Sequence, residues 1–88
     1  MDIEQLKYDL KKMIIDECEK EDITPQDIQN DAELFAPDNE LELDSVDGLQ
    51  ISMAIQKEYG VRLVDPKEFR RVVKTINSIA EYIQEKNA

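Results

Sequence analysis

The residues best suited to chemistry are Asp44, Ser45 and Asp47, at the start of a strongly apolar helical pattern. If Asp44 caps that helix, Ser45 lies in its first turn and Asp47 at its third position, which resembles a capping box. A phosphodiester on Ser45 would meet free backbone N–H groups and the positive end of the helix dipole. The alternative is that Ser45 is only part of a helix cap, where serine is common.

The composition argues against catalysis by this chain. It contains no histidine, so Ser45 has no histidine base to activate it as a nucleophile. Its one cysteine, Cys18, excludes an internal disulfide and a zinc site built from cysteine and histidine. We interpret Cys18 as a residue at the boundary of the core, and we predict that the protein is not an enzyme.

An alternating acidic segment before Ser45 raises the question of calcium binding. Its four acids are Asp38, Glu40, Glu42 and Asp44. Counted from Asp38, an EF-hand requires glycine where this chain has Leu43 and glutamate where it has Leu49. We therefore predict no metal site.

The negative charge is concentrated in the middle of the chain. Ten of the 21 acidic residues and none of the 11 basic residues lie between Glu21 and Gln56, and the net charge is −10. Such a field attracts basic partners and repels nucleic acid and anionic membranes, so we expect neither of the last two as a partner. With no signal peptide and no apolar run long enough to cross a bilayer, we expect a cytoplasmic protein.

Periodicity and capping signals predict an all-α fold. Helices are expected over residues 2–18, 44–59 and 66–73 and from 75 towards the C-terminus, where the last helix frays into residues 85–88. The long connection over residues 21–43 contains a helical turn at Thr24-Pro25, and we expect Leu34 and Phe35 to pin it over the core. These elements predict one small four-helix bundle, a single domain over residues 1–88, with a short third helix and a long first loop.

The second long helix carries two apolar stripes. Ile51 and Ile55 belong to the stripe that suits a core, whereas Val46, Leu49 and Met53 form a displaced stripe that begins beside Ser45. The displaced stripe is either a surface for a partner or ligand, or part of a helix buried on two sides. Periodicity alone does not decide between them.

The Asp-Ser pair followed by aliphatic Val46 resembles the attachment site of acyl carrier proteins. The resemblance covers nearly the whole chain. It includes the order of helix, long acidic loop and helix, the pair Tyr59-Gly60, the short third helix and a final helix that opens on Thr75-Ile76.

That resemblance implies a carrier function. A phosphopantetheinyl transferase would attach 4′-phosphopantetheine from coenzyme A to Ser45, and the arm would hold acyl intermediates for enzymes of fatty-acid, polyketide or related lipid biosynthesis. Acyl-transferring and acyl-processing enzymes would dock positive patches on the second helix of a monomeric carrier. The expected docking residues are Asp44, Val46, Asp47, Leu49 and Met53.

Several residues depart from the pattern of fatty-acid carriers. Val46 replaces the usual leucine, and Gly48 in the first helical turn costs about 1 kcal/mol relative to alanine. Gln50, Gln56 and Lys57 stand where those carriers are often acidic. These departures favour a specialised carrier with its own enzymes. The alternative function is an unmodified acidic bundle that binds a basic protein, for which Ser45 would not be needed.

Overall fold

The computed structural model describes residues 2–39, 41–63 and 65–87, and four α-helices follow one another along them. The helices are α1 (Ile3–Glu17), α2 (Ser45–Tyr59), α3 (Pro66–Val72) and α4 (Ile76–Lys86). The described ranges contain no strand, so the predicted all-α bundle with a short third helix is confirmed. The predictions that involve Glu40 and Ala88 lie outside the described residues.

Local capping sets most helix ends where the sequence predicts them. Asp2 accepts a hydrogen bond from the Glu4 N–H at 3.0 Å, and Asp65 accepts one from the Lys67 N–H at 2.9 Å. Gly60 ends α2 with a φ of 69°, the left-handed conformation that glycine adopts without strain. The predicted ends of α1 and α3 each differ from the observed ones by one residue, which is within ordinary fraying.

The helices pack around one core. Helix α1 packs against α2 and α4, and α3 packs against α4. The phenolic hydroxyl of Tyr82 in α4 donates a hydrogen bond to Glu68 in α3 at 2.8 Å, which fixes this short helix. The buried core residues are Leu6, Leu10, Ile14, Ile28, Leu34, Leu41, Ile51, Ile55, Val61, Val72, Val73, Ile76, Ile79, Ala80, Tyr82 and Ile83.

The long connection between α1 and α2 is fastened to the bundle. Leu34 is fully buried, Phe35 is half-buried, and the Leu34 N–H donates to the Lys74 carbonyl at 2.8 Å. The Asn77 N–H donates to the Asn30 carbonyl at 3.0 Å. The predicted pinning by Leu34 and Phe35 is therefore confirmed, and it fixes the path of the chain that leads into α2.

The connection also contains its predicted helical turn and a second turn over residues 36–39. A 3-10 turn spans Pro25–Asp27, and the Thr24 N–H donates to the Asp27 carboxylate at 3.0 Å. The Asn39 N–H donates to the Ala36 carbonyl at 3.0 Å.

Among the described helices, none is long and apolar enough to cross a membrane.

Candidate functional site

The first turn of α2 is fixed by a reciprocal cap. The Asp47 N–H donates to the Asp44 carboxylate at 3.0 Å, and the Asp44 N–H donates to the Asp47 carboxylate at 3.1 Å. The Gly48 N–H donates to the Asp44 carbonyl at 3.0 Å, which is the first hydrogen bond of the helix. Ser45 is consequently the first helical residue, and its side chain is exposed.

The backbone donors at this helix start are already in use. The N–H groups of Asp47, and more weakly of Val46, hydrogen-bond the Asp44 carboxylate and lower its pKa below its ordinary value. The expectation that a phosphodiester on Ser45 would find these donors free is therefore wrong for the Asp47 N–H. The Asp44 carboxylate is itself the anion that these N–H groups bind at the positive end of the helix dipole.

The charge of a basic residue from outside α2 acts on the cap of this helix. The charge of Lys20 contributes to the lowered pKa of Asp44, so this half-buried lysine lies near the cap. Lys20 follows the end of α1, so its distance from Asp44 is set by the packing of α1 against α2, which no local sequence pattern indicates.

Cys18, at the end of α1, lies beside the same turn. Burial, the negative charge of Asp47 and a hydrogen bond to Asp47 raise the pKa of the thiol to about 11. A thiol with this pKa is almost entirely protonated near neutral pH and is a poor nucleophile. The interpretation of Cys18 as a boundary residue agrees with its half-buried position.

The displaced apolar stripe of α2 faces outward. Val46, Leu49 and Met53 are each more than 60% exposed, whereas Ile51 and Ile55 are at most 1% exposed. The alternative of a helix buried on two sides is therefore wrong. An exposed apolar row beside Ser45 is unusual for a small protein surface and suits contact with a partner.

A groove of about 1010 Å³ opens beside Ser45. Its apolar wall includes Phe35 from the long connection, Gly48 and Leu49 from α2, Leu63 from the segment after α2, and Phe69 from α3. Composition and periodicity do not reveal this groove, because its walls come from four separate segments.

A small basic patch lies at the edge of this groove. Arg70, Arg71 and Lys74 all line it. Lys74 forms an ion pair with Glu33 at 3.5 Å, and the Arg71 guanidinium lies 5.9 Å from the centre of the Tyr82 ring. Two of the three cations therefore have structural contacts of their own.

The acidic segment does not form a metal centre in the part of the chain that is described. Within those residues, no group of three or more cysteine, aspartate and glutamate side chains is arranged to hold an ion. Glu40, one of the four alternating acids, lies outside that part.

A comparison with known families identifies the chain. Residues 10–83 match the family model described as the phosphopantetheine attachment site. The chain belongs to this family of carrier proteins. No curated protein matched the chain. The predictions that the protein carries 4′-phosphopantetheine covalently and is not itself an enzyme are confirmed by this membership. Carriers of this family interact with transferases and with acyl-processing enzymes.

The residues at the start of α2 fit such a group. A phosphopantetheine arm requires a hydroxyl that a transferase can reach, and the exposed hydroxyl of Ser45 meets that requirement. The groove that adjoins Ser45 offers space along the protein for such an arm.

Proposed function

We propose that Ser45 bears the phosphopantetheine arm and that the protein carries acyl intermediates to enzymes of fatty-acid, polyketide or related lipid biosynthesis. The observation that carries this proposal is the position of the three serines, all within the described residues. Ser45 is exposed, whereas Ser52 and Ser78 are half-buried. The Ser78 hydroxyl also donates to the Val72 carbonyl at 2.6 Å, so it is committed to the start of α4.

The residues around Ser45 have separate tasks in this proposal. The arm, when attached, supplies a terminal thiol that carries the acyl group as a thioester. Asp44 and Asp47 hold the helix start so that the Ser45 hydroxyl stays exposed. The groove beside Ser45 provides a wall along which the arm can lie.

Partner enzymes dock on α2 in this proposal. Val46, Leu49 and Met53 provide an apolar centre, and Asp44 provides an exposed negative charge next to Ser45. Asp47 is half-buried, and its carboxylate accepts a hydrogen bond from the Asp44 N–H. It therefore contributes its negative charge from a fixed position. An enzyme with a basic rim around an apolar patch would complement this surface.

The proposal extends to a specialised pathway. Gln50, Gln56 and Lys57 are exposed on α2, where general fatty-acid carriers are often acidic. We expect general fatty-acid enzymes to load or elongate this carrier more slowly than a housekeeping carrier, and equal rates would contradict that expectation.

A monomeric single domain over residues 1–88 and a cytoplasmic location also belong to the proposal. Size-exclusion chromatography with light scattering tests the monomer.

The acyl-carrying function is tested by thioester formation. The arm-bearing protein is incubated with an acyl donor and an acyltransferase, and its intact mass is measured before and after hydroxylamine, which cleaves thioesters. We expect a hydroxylamine-sensitive acyl group on the wild type and on Ser52→Ala, which retains Ser45. Ser45→Ala should gain none, and an acyl group on that variant would refute the assignment.

The same variants separate the alternative function. An unmodified acidic bundle would bind a basic protein equally well with or without the Ser45 hydroxyl. Under the carrier function, Ser45→Ala removes every acylated form while leaving the surface of α2 unchanged.

A further inference from the structure

Gly48 allows two aromatic rings to touch the backbone of α2. A Cβ atom at this position would lie 3.2 Å from Cζ of Phe69 and 3.4 Å from Cζ of Phe35. The first distance is closer than ordinary van der Waals contact, so the ring of Phe69 occupies the space that a side chain at position 48 would need. The glycine that weakens the first turn of α2 is therefore the residue that permits this contact.

The two rings form a layer between the groove and the core. Their centres are 6.3 Å apart and their planes are tilted by 58°, a favourable arrangement for an aromatic pair. Both rings are half-buried and both line the groove. Leu34 precedes Phe35 by one position, and Val72 follows Phe69 by three positions. Both side chains are buried, at most 2% exposed.

This layer lies close to the proposed attachment point. Gly48 follows Ser45 by three positions, which places the two residues one above the other along the helix surface. Cargo that entered the bundle between α2 and α3 from Ser45 would have to displace Phe35 and Phe69. Ile51, three positions beyond Gly48 on the same side of α2, is fully buried.

We propose that Phe69, with Phe35, closes the passage from the groove into the bundle and so limits the length of acyl chain that the protein shelters. This inference rests on the proposed function. Short acyl groups fit in the groove above the rings, and the outer part of a long alkyl chain remains in solvent. Phe69 is the determining residue because its ring makes the closest approach to Gly48.

The closure is tested with arm-bearing protein that carries butanoyl, octanoyl or dodecanoyl groups. The melting temperature and the methyl NMR signals of Ile51 and Ile55 are measured for each. For the wild type we expect a rise in melting temperature with butanoyl, no further rise with the longer chains, and unchanged isoleucine signals. For Phe69→Ala we expect the melting temperature to rise progressively up to dodecanoyl, with shifted isoleucine signals.

Two more variants keep this comparison interpretable. Tyr8→Ala removes an exposed aromatic side chain of α1 that does not line the groove and leaves the ring pair in place, so it should behave like the wild type. Phe69→Leu retains apolar volume in case Phe69→Ala does not fold, and it should show an intermediate dependence on chain length. A wild type whose melting temperature rises steadily with chain length would overturn the proposal, as would a Phe69 variant that behaves like the wild type.

Failure of the attachment itself is detected separately. Intact mass shows whether arm and acyl group are present before any melting experiment. If no arm is added to Ser45, the proposed function fails. The closure is then tested with Ser45→Cys in a Cys18→Ser background, alkylated with butyl, octyl or dodecyl iodoacetamide. The same dependence on Phe69 is expected there, and its absence counts against the closure alone.

Discussion

Asp44 and Asp47 cap α2 for each other, with each backbone N–H donating to the other carboxylate at 3.1 Å and 3.0 Å. Backbone donors therefore hold two like charges together beside Ser45. Among the described residues, neither of these carboxylates forms a direct ion pair with a basic side chain. The acidity next to Ser45 consequently stabilises the helix start, in addition to its proposed role in attracting basic partners. When Asp44 or Asp47 is substituted to test docking, the effect on docking must be measured separately from the effect on the stability of the helix cap.

The cap should make stability depend on pH below about pH 4. The hydrogen bond from the Asp47 N–H lowers the pKa of Asp44 below its ordinary value of 3.8. Its stabilising effect is therefore complete above the unfolded pKa and is lost as the pH falls through the lower folded pKa.

Asp44→Asn is the matched variant for this effect, because asparagine also caps helices but does not titrate in this range. We expect the difference in melting temperature between wild type and Asp44→Asn to shrink as the pH is lowered from about 6 to about 3. Asp44→Ala should lower the melting temperature by about a few degrees at neutral pH. A difference between wild type and Asp44→Asn that is independent of pH would show that the Asp44 charge does not stabilise the cap.

Cys18 should resist alkylation in the folded protein. Because its pKa is raised from 9.0 to about 11, the thiolate fraction near pH 8 is roughly 100-fold smaller than in the unfolded chain. We expect iodoacetamide to react correspondingly more slowly in buffer than in urea. Asp47→Asn should accelerate the reaction of the folded protein, since it removes a charge that raises this pKa. Asp44→Asn is the control and should leave the rate unchanged; equal acceleration by both variants would indicate general loosening of the turn.

Glu42 adopts a strained backbone conformation three residues before Ser45. Its φ is 49°, in the left-handed region where side chains with a Cβ are disfavoured. We expect Glu42→Gly to raise the free energy of unfolding by up to about 1 kcal/mol in urea titrations. Glu42→Gln keeps the Cβ and removes the charge, so it separates relief of strain from reduced repulsion. If Glu42→Gln stabilises as much as Glu42→Gly, charge is the cause.

The exposed stripe of α2 should govern recognition by the transferase. We expect Leu49→Glu to raise the KM for arm addition by roughly tenfold, the loss of a central apolar contact. Its melting temperature should change little, because Leu49 is 63% exposed. Tyr8→Glu, at an exposed apolar residue of α1, is the matched control and should leave the KM unchanged. Equal effects of both variants would place the docking surface elsewhere.

Local signals predicted most of the fold. Gly60, the Asp65-Pro66 pair and Thr75 mark helix ends through hydrogen bonds and backbone preferences that act within a few residues. The position of Ser45 at the start of α2 follows from the same kind of signal, supplied by Asp44.

Features that depend on distant contacts could not be read from the sequence. The spacing of Val46, Leu49 and Met53 fits an exposed row and a buried one equally well, and only the packing of the other helices decides between them. The contact of Phe69 with Gly48 joins residues 21 positions apart, and the groove joins residues that are still farther apart in the chain. The approach of Lys20 to Asp44 likewise depends on how α1 meets α2.

The most direct test of the central claim is the intact mass of the protein after incubation with coenzyme A and a broad-specificity phosphopantetheinyl transferase. Wild type and Ser52→Ala should each gain one phosphopantetheine, and fragmentation should place it on Ser45. Ser45→Ala should gain none. Addition to Ser45→Ala, or no addition to the wild type by several transferases, would contradict the assignment and leave Ser45 as part of the helix cap.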